Sequence, residues 1–121
     1  MKKINCFVLY SNYAESIAIC LSGLLEKKGF NPDVITMDDL RKFIEIPEGK
    51  DIYFIHLHDL ERKDRERLKR LQEQQPNSYF VKLGYNGGGL FKGKERINNE
   101  EQLIFEHEID GVLKEYIKNM K

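Results

Sequence analysis

Three short clusters and a few scattered acids carry the side chains of this sequence that could do chemistry. In the first, Ser11, Asn12, Tyr13 and Ser16 stand just ahead of a helical pattern. Exposed backbone N–H groups and the helix dipole attract anions at such a place, although the same residue types also serve simply to cap a helix. The second is residues 84–93, which hold five of the nine glycines. Around Tyr85, Asn86, Gly87 and Gly88 the backbone could approach a ligand closely and form an anion nest, with Lys92 and Lys94 adding charge and Tyr85 available for stacking. A plain turn has the same composition. The third cluster is His56-Leu57-His58-Asp59. Alternation along a strand puts His56 and His58 on one face, where two imidazoles suit proton transfer or metal ligation. Spacing supplies no third ligand, so no metal centre and no catalytic set is assigned.

The elements that must position these clusters are legible from periodicity. Residues 4–10 form an almost continuous apolar run, as in a strand covered on both faces. Ile17, Leu21, Leu24 and Leu25 then recur at helical spacing until Gly29. Residues 30–37 read as a second strand closed by Asp38-Asp39, and residues 40–44 as a short helix. Pro47 to Gly49 breaks the chain before a third strand at residues 51–58, which is expected beside the first. Residues 60–75 read as a solvent-facing helix with a narrow apolar stripe of Leu60, Leu68 and Leu71. A fourth strand covers residues 78–83, residues 90–97 stay open between an edge strand and irregular chain, and a last helix carries Ile109, Val112, Leu113, Tyr116 and Ile117.

Alternating strands and helices predict an α/β domain over residues 1–121: three-layer, doubly wound, with a mostly parallel sheet of four to five strands in the flavodoxin-like order 2-1-3-4-5. In open sheets of this kind ligands bind beyond the strand carboxyl ends. The loops so selected are residues 11–15, 38–39, 56–59 and 84–93.

The stretch from Tyr10 through Ser11, Asn12, Tyr13, Ala14, Glu15 and Ser16 to Ala18 resembles the strand-loop-helix opening of flavodoxins. That resemblance implies a flavin phosphate cradled by Ser11, Asn12, Tyr13 and Ser16, with Tyr85 and its glycines at the ring, and hence FMN as cofactor. The loop lacks the glycine and threonine of that family. Asp59 is similar in position to the phosphoacceptor of response-regulator receiver domains. Those domains also place acids after strand one, where this chain has Ser11 and Asn12, leaving only Asp38 and Asp39 to hold magnesium. The run Phe7-Val8-Leu9-Tyr10-Ser11 together with Asp38-Asp39 resembles TIR domains. Catalytic members cleave NAD with a glutamate on the helix after the third strand, which implies Glu61 or Glu66 here.

Composition narrows the classes. Twenty basic and twenty acidic residues cancel to a formal charge of zero, which offers no net pull toward nucleic acid or an anionic membrane. The basic run at residues 62–70 is interleaved with Glu61, Asp64, Glu66 and Glu73, the pattern of an ion-paired helix face. An acidic stretch over residues 95–110 would complement it in a homodimer or with a protein partner. No apolar run nears the roughly 20 residues of a membrane span, and a cytoplasmic protein with two reduced, buried cysteines, Cys6 and Cys20, is expected. The expectation is a small regulatory or protein-interaction domain binding a small anionic ligand at the strand carboxyl ends. An FMN-binding electron-transfer protein and a TIR-like NAD-cleaving enzyme are the alternatives.

Overall fold

The computed structural model describes residues 4–10, 15–42, 46–56, 60–83 and 89–97. Its elements run β1 (Ile4–Tyr10), α1 (Glu15–Lys27), β2 (Phe30–Thr36), α2 (Met37–Lys42), β3 (Ile52–His56), α3 (Arg62–Gln74), β4 (Tyr79–Leu83), β5 (Gly89–Lys92) and β6 (Glu95–Arg96). The six strands form one sheet in the order β2-β1-β3-β4-β5-β6. The first three pairings are parallel, and β4–β5 and β5–β6 are antiparallel.

The α/β class holds, but the expectation of a mostly parallel, flavodoxin-like sheet of four to five strands is corrected by the antiparallel hairpin at the far edge. The reason lies in chain length. Parallel neighbours need a crossover of a dozen or more residues, whereas antiparallel ones need only a tight link. Only residues 84–88 separate β4 from β5, and only Gly93 and Lys94 separate β5 from β6. Gly93 takes φ +57, and a Cβ there would stand 2.8 Å from the Pro76 Cα, so this turn demands glycine twice over.

Strand alternation sorts the core into two layers. Cys6 and Val8 of β1, Ile52 and Phe54 of β3, and Tyr79 and Val81 of β4 pack with Leu21 and Leu25 of α1 on one face. Phe7, Leu9, Tyr53, Ile55 and Phe80 pack with Met37 and Leu40 of α2 and Leu68 and Leu71 of α3 on the other. Both faces of β1 and β3 are therefore buried, which explains why those strands read as unbroken apolar runs. Tyr53 and Phe80 stack at 4.9 Å between ring centroids. Each such side chain withdrawn from water contributes about 1.5–3 kcal/mol.

Local chemistry ends the helices where the sheet needs them to end. Gly29 at φ +87 terminates α1, with Gly29 N donating to Glu26 O at 3.1 Å. Thr36 Oγ1 accepts from Asp39 N at 3.1 Å and starts α2 at Met37, earlier than the apolar pattern suggests. The amino ends of β3 and β4 are tied together by Tyr53 Oη donating to Pro47 O (2.6 Å), Gly49 N donating to Gln75 Oε1 (2.8 Å) and Ser78 Oγ donating to Lys50 O (2.8 Å). Among the described residues, no helix is long and apolar enough to cross a membrane.

Candidate functional site at the strand carboxyl ends

Because β2, β1, β3 and β4 are parallel, Thr36, Tyr10, His56 and Leu83 end at one edge of the sheet. Ser11, Asn12, Tyr13, His58, Asp59, Tyr85, Asn86, Gly87 and Gly88 all lie outside the described residues. Ser16 falls on α1, but its side chain is likewise outside the description. His56 is half-buried at the end of β3 and, by alternation from Phe54, belongs to the α1 face.

The acids singled out by the TIR and receiver resemblances have structural work among the described residues. Asp38 and Asp39 are exposed in the first turn of α2, where negative charge complements the helix dipole. Glu61 is the N-cap of α3, and Glu66 pairs with Arg62 one turn earlier at 3.3 Å. Asp64, which the sequence pattern places on an ion-paired outer face, is instead buried, at 3% exposed. Its Oδ2 accepts from Arg41 Nη2 at 2.7 Å, Arg41 Nε at 3.3 Å and Glu61 N at 2.9 Å. Burial alone would raise this carboxyl. The hydrogen bonds from Arg41 and from the Glu61 backbone, with the charges of Arg41 and Arg67, outweigh it and hold Asp64 below the usual carboxylate range. This pair bolts α2 to the start of α3. Gln72, also buried, donates to Gly93 O at 2.8 Å and fixes the other end of α3 to the β5–β6 turn.

One cation at this edge is placed differently. Lys82 follows Val81 in β4, pairs in register with Ile55 and Gly89, and points to the α3 side of the sheet with Phe80. Gly89 opposite it adopts φ +143 and has no side chain to occupy that side. The Lys82 Nζ stands 4.7 Å from the Phe91 ring centroid, and the Arg96 guanidinium stands 4.6 Å from the same ring. Burial, then the charges of Arg96 and Arg65, push the ammonium below its ordinary value. Among the described residues no carboxylate pairs with Lys82. The Phe91 ring face offsets only part of the cost of holding the Lys82 ammonium away from water.

The sequence does not single out Lys82 or Arg96, and Arg65 stands there only as one member of the basic run at residues 62–70. The available signal was a lone lysine inside the apolar run Tyr79–Leu83, at a position whose neighbours by alternation are core. Arg96 is distant in sequence and reaches the Phe91 ring only through the hairpin, while the charge of Arg65 acts from α3. A depression of about 270 Å³ beside α3, walled by Glu48, Arg67 and Arg70 over Ile46 and Leu71, mixes both charge signs and offers no comparable cradle. Among the described residues no cluster of three or more histidine, cysteine, aspartate or glutamate side chains could hold a metal ion. Neither any known protein family, nor any curated protein, nor any solved structure matches the chain.

Proposed function

We propose that this chain is a small regulatory or protein-interaction domain that binds a small anionic ligand at the carboxyl ends of its parallel strands. The observation that supports this reading is Lys82: a half-buried ammonium next to the last residue of β4, repelled by Arg96 and Arg65 and paired with no carboxylate among the described residues. A folded protein ordinarily avoids a desolvated charge without a counter-charge. A ligand that supplies the counter-charge recovers that cost on binding.

The test is thermal unfolding with increasing inorganic phosphate, against sodium chloride of equal ionic strength. The wild-type midpoint is expected to rise with phosphate beyond the salt control, as it must for any ligand of the native state. Lys82→Met keeps the apolar stem and removes the ammonium, so it is expected to abolish the rise while increasing stability without ligand. A wild-type protein indifferent to phosphate, or a Lys82→Met protein that responds equally, overturns the reading. Ser11→Asp with Gly88→Asp tests whether the flanking loops share the site, since added negative charge there weakens an anion held nearby. Unchanged phosphate affinity in the folded double variant removes both loops from it. A purified protein that is yellow and releases flavin on denaturation would replace this reading with that of an electron carrier.

A further inference from the structure

The groove of about 270 Å³ beside α3 has two walls from different segments. Arg67, Arg70, Leu71 and Gln74 recur at the spacing of one helix face and form the first. Ile46 and Glu48 form the second. Arg67 Nη1 donates to Leu40 O at 3.3 Å, which holds that side chain at the α2 end of the groove. Tyr53 Oη donates to Pro47 O at 2.6 Å and Gly49 N donates to Gln75 Oε1 at 2.8 Å, so Glu48 is held beside the carboxyl end of α3. The cations and the acid therefore sit toward opposite ends of the groove, above Ile46 and the buried Leu71. Arg70 and Glu48 are both exposed, and neither makes an ion pair among the described residues. Opposite charges that share a groove without closing on each other leave room between them for a molecule carrying both signs.

We propose that this groove binds a zwitterion of dipeptide size, with its carboxylate on Arg70, its ammonium on Glu48 and an aliphatic side chain over Ile46 and Leu71. The mixture of signs that makes the groove a poor cradle for a plain anion is what suits it to such a ligand. Arg70 and Gln74 are separated along the helix axis by about 6 Å, and two extended residues span about 7 Å. A free amino acid carries both charges on one carbon and cannot reach both ends. The Arg70 guanidinium offers paired donors to a carboxylate, and Arg67 adds positive charge at the same end. At the other end the Gln74 amide oxygen supplies a second acceptor for the ammonium beside Glu48. This site lies near the amino ends of β3 and β4, opposite the edge that carries Lys82, and does not depend on the anion reading above.

A titration of isotope-labelled protein followed by amide NMR tests it, with leucylalanine, its N-acetyl form, its C-terminal amide and free leucine as probes. Leucylalanine is expected to give saturable shifts confined to residues 46–49 and 67–75. The acetyl form lacks the ammonium and the amide form lacks the carboxylate. Each is expected to bind the wild type roughly tenfold more weakly, the low end for a hydrogen bond to a charged group because both side chains are exposed. Glu48→Gln is expected to erase the difference between leucylalanine and its acetyl form, and Arg70→Gln the difference between leucylalanine and its amide. Both positions are exposed, so both variants keep the core intact. Absence of saturable shifts, shifts centred elsewhere, equal binding of the three peptides, or free leucine binding as tightly as the dipeptide overturns the proposal. Variants that still discriminate as the wild type does also overturn it. Because Glu48→Gln and Arg70→Gln leave Lys82 untouched, their phosphate response reports on the anion site alone, and the two readings stand or fall separately.

Discussion

The two cysteines show how one residue type takes two chemical characters in this protein. Cys6 is fully buried in β1, and burial, only partly opposed by the Lys50 charge, pushes its thiol up to about 12. Cys20 is exposed on α1, contrary to the expectation that both thiols are buried. Its apolar sequence neighbours hid this, because a helix turns every residue by a fixed angle and places some members of an apolar stretch outside the core. Thiolate is the reactive form and needs access. Native protein exposed to a thiol reagent at neutral pH is therefore expected to lose one thiol rapidly, with the second reacting only on unfolding. Peptide mapping that finds Cys6 modified in the native state would contradict the buried placement of β1. The same contrast applies to lysines: Lys82 was unremarkable by type and became a candidate only through the residues around it.

At the scale of elements, the hairpin edge and α1 use glycine for opposite reasons. Gly93 has φ +57 and faces the Pro76 backbone at 2.8 Å from an added Cβ, so no flexible side chain can yield. Gly93→Ala is expected to cost about 1–2 kcal/mol for the left-handed conformation alone, with the clash added to it. Gly23 sits inside α1 with nothing within 4 Å of an added Cβ. Gly23→Ala is expected to stabilise the protein by about 0.5–1 kcal/mol through helix propensity and a less free unfolded chain. Urea unfolding of the two variants checks both signs. Equal effects would mean that the β5–β6 turn is not built as described. α3 likewise departs from its plain reading as a charged outer helix. Its buried Asp64 and Gln72 fasten it to α2 and to the hairpin, so its polar pattern conceals contacts on two sides.

Over the whole molecule, the Arg41–Asp64 bolt links the α2–α3 layer and makes stability depend on acid. Asp64 in the folded protein sits below its ordinary value of 3.8. Its contribution is therefore complete above about that pH and disappears as pH falls through the lower folded value. Wild-type stability is expected to drop in this acid window more steeply than that of Asp64→Asn. At pH 7 the variant is expected to lose about 2 kcal/mol, less than for a fully enclosed ion pair because Arg41 remains a third exposed. Urea midpoints at pH 3, 4, 5 and 7 for both proteins provide the measurement, and parallel curves would show that Asp64 is not held ionised by Arg41.

From sequence alone, periodicity and breakers determined the α/β class, the places of β1 to β4 and the three described helices, because local apolar spacing and caps act within a few residues. The antiparallel edge was also latent there, in links too short for a crossover, but weak apolar content over residues 90–97 obscured it. Tertiary structure alone decided what meets what. It placed Asp64 against Arg41 from 23 residues away, turned Cys20 outward, and set Lys82 and Arg96 on one aromatic ring. Those outcomes depend on sheet register and on which helix covers which face. Burial and long-range charge, the quantities that make a side chain chemically unusual, come into being only when distant segments pack.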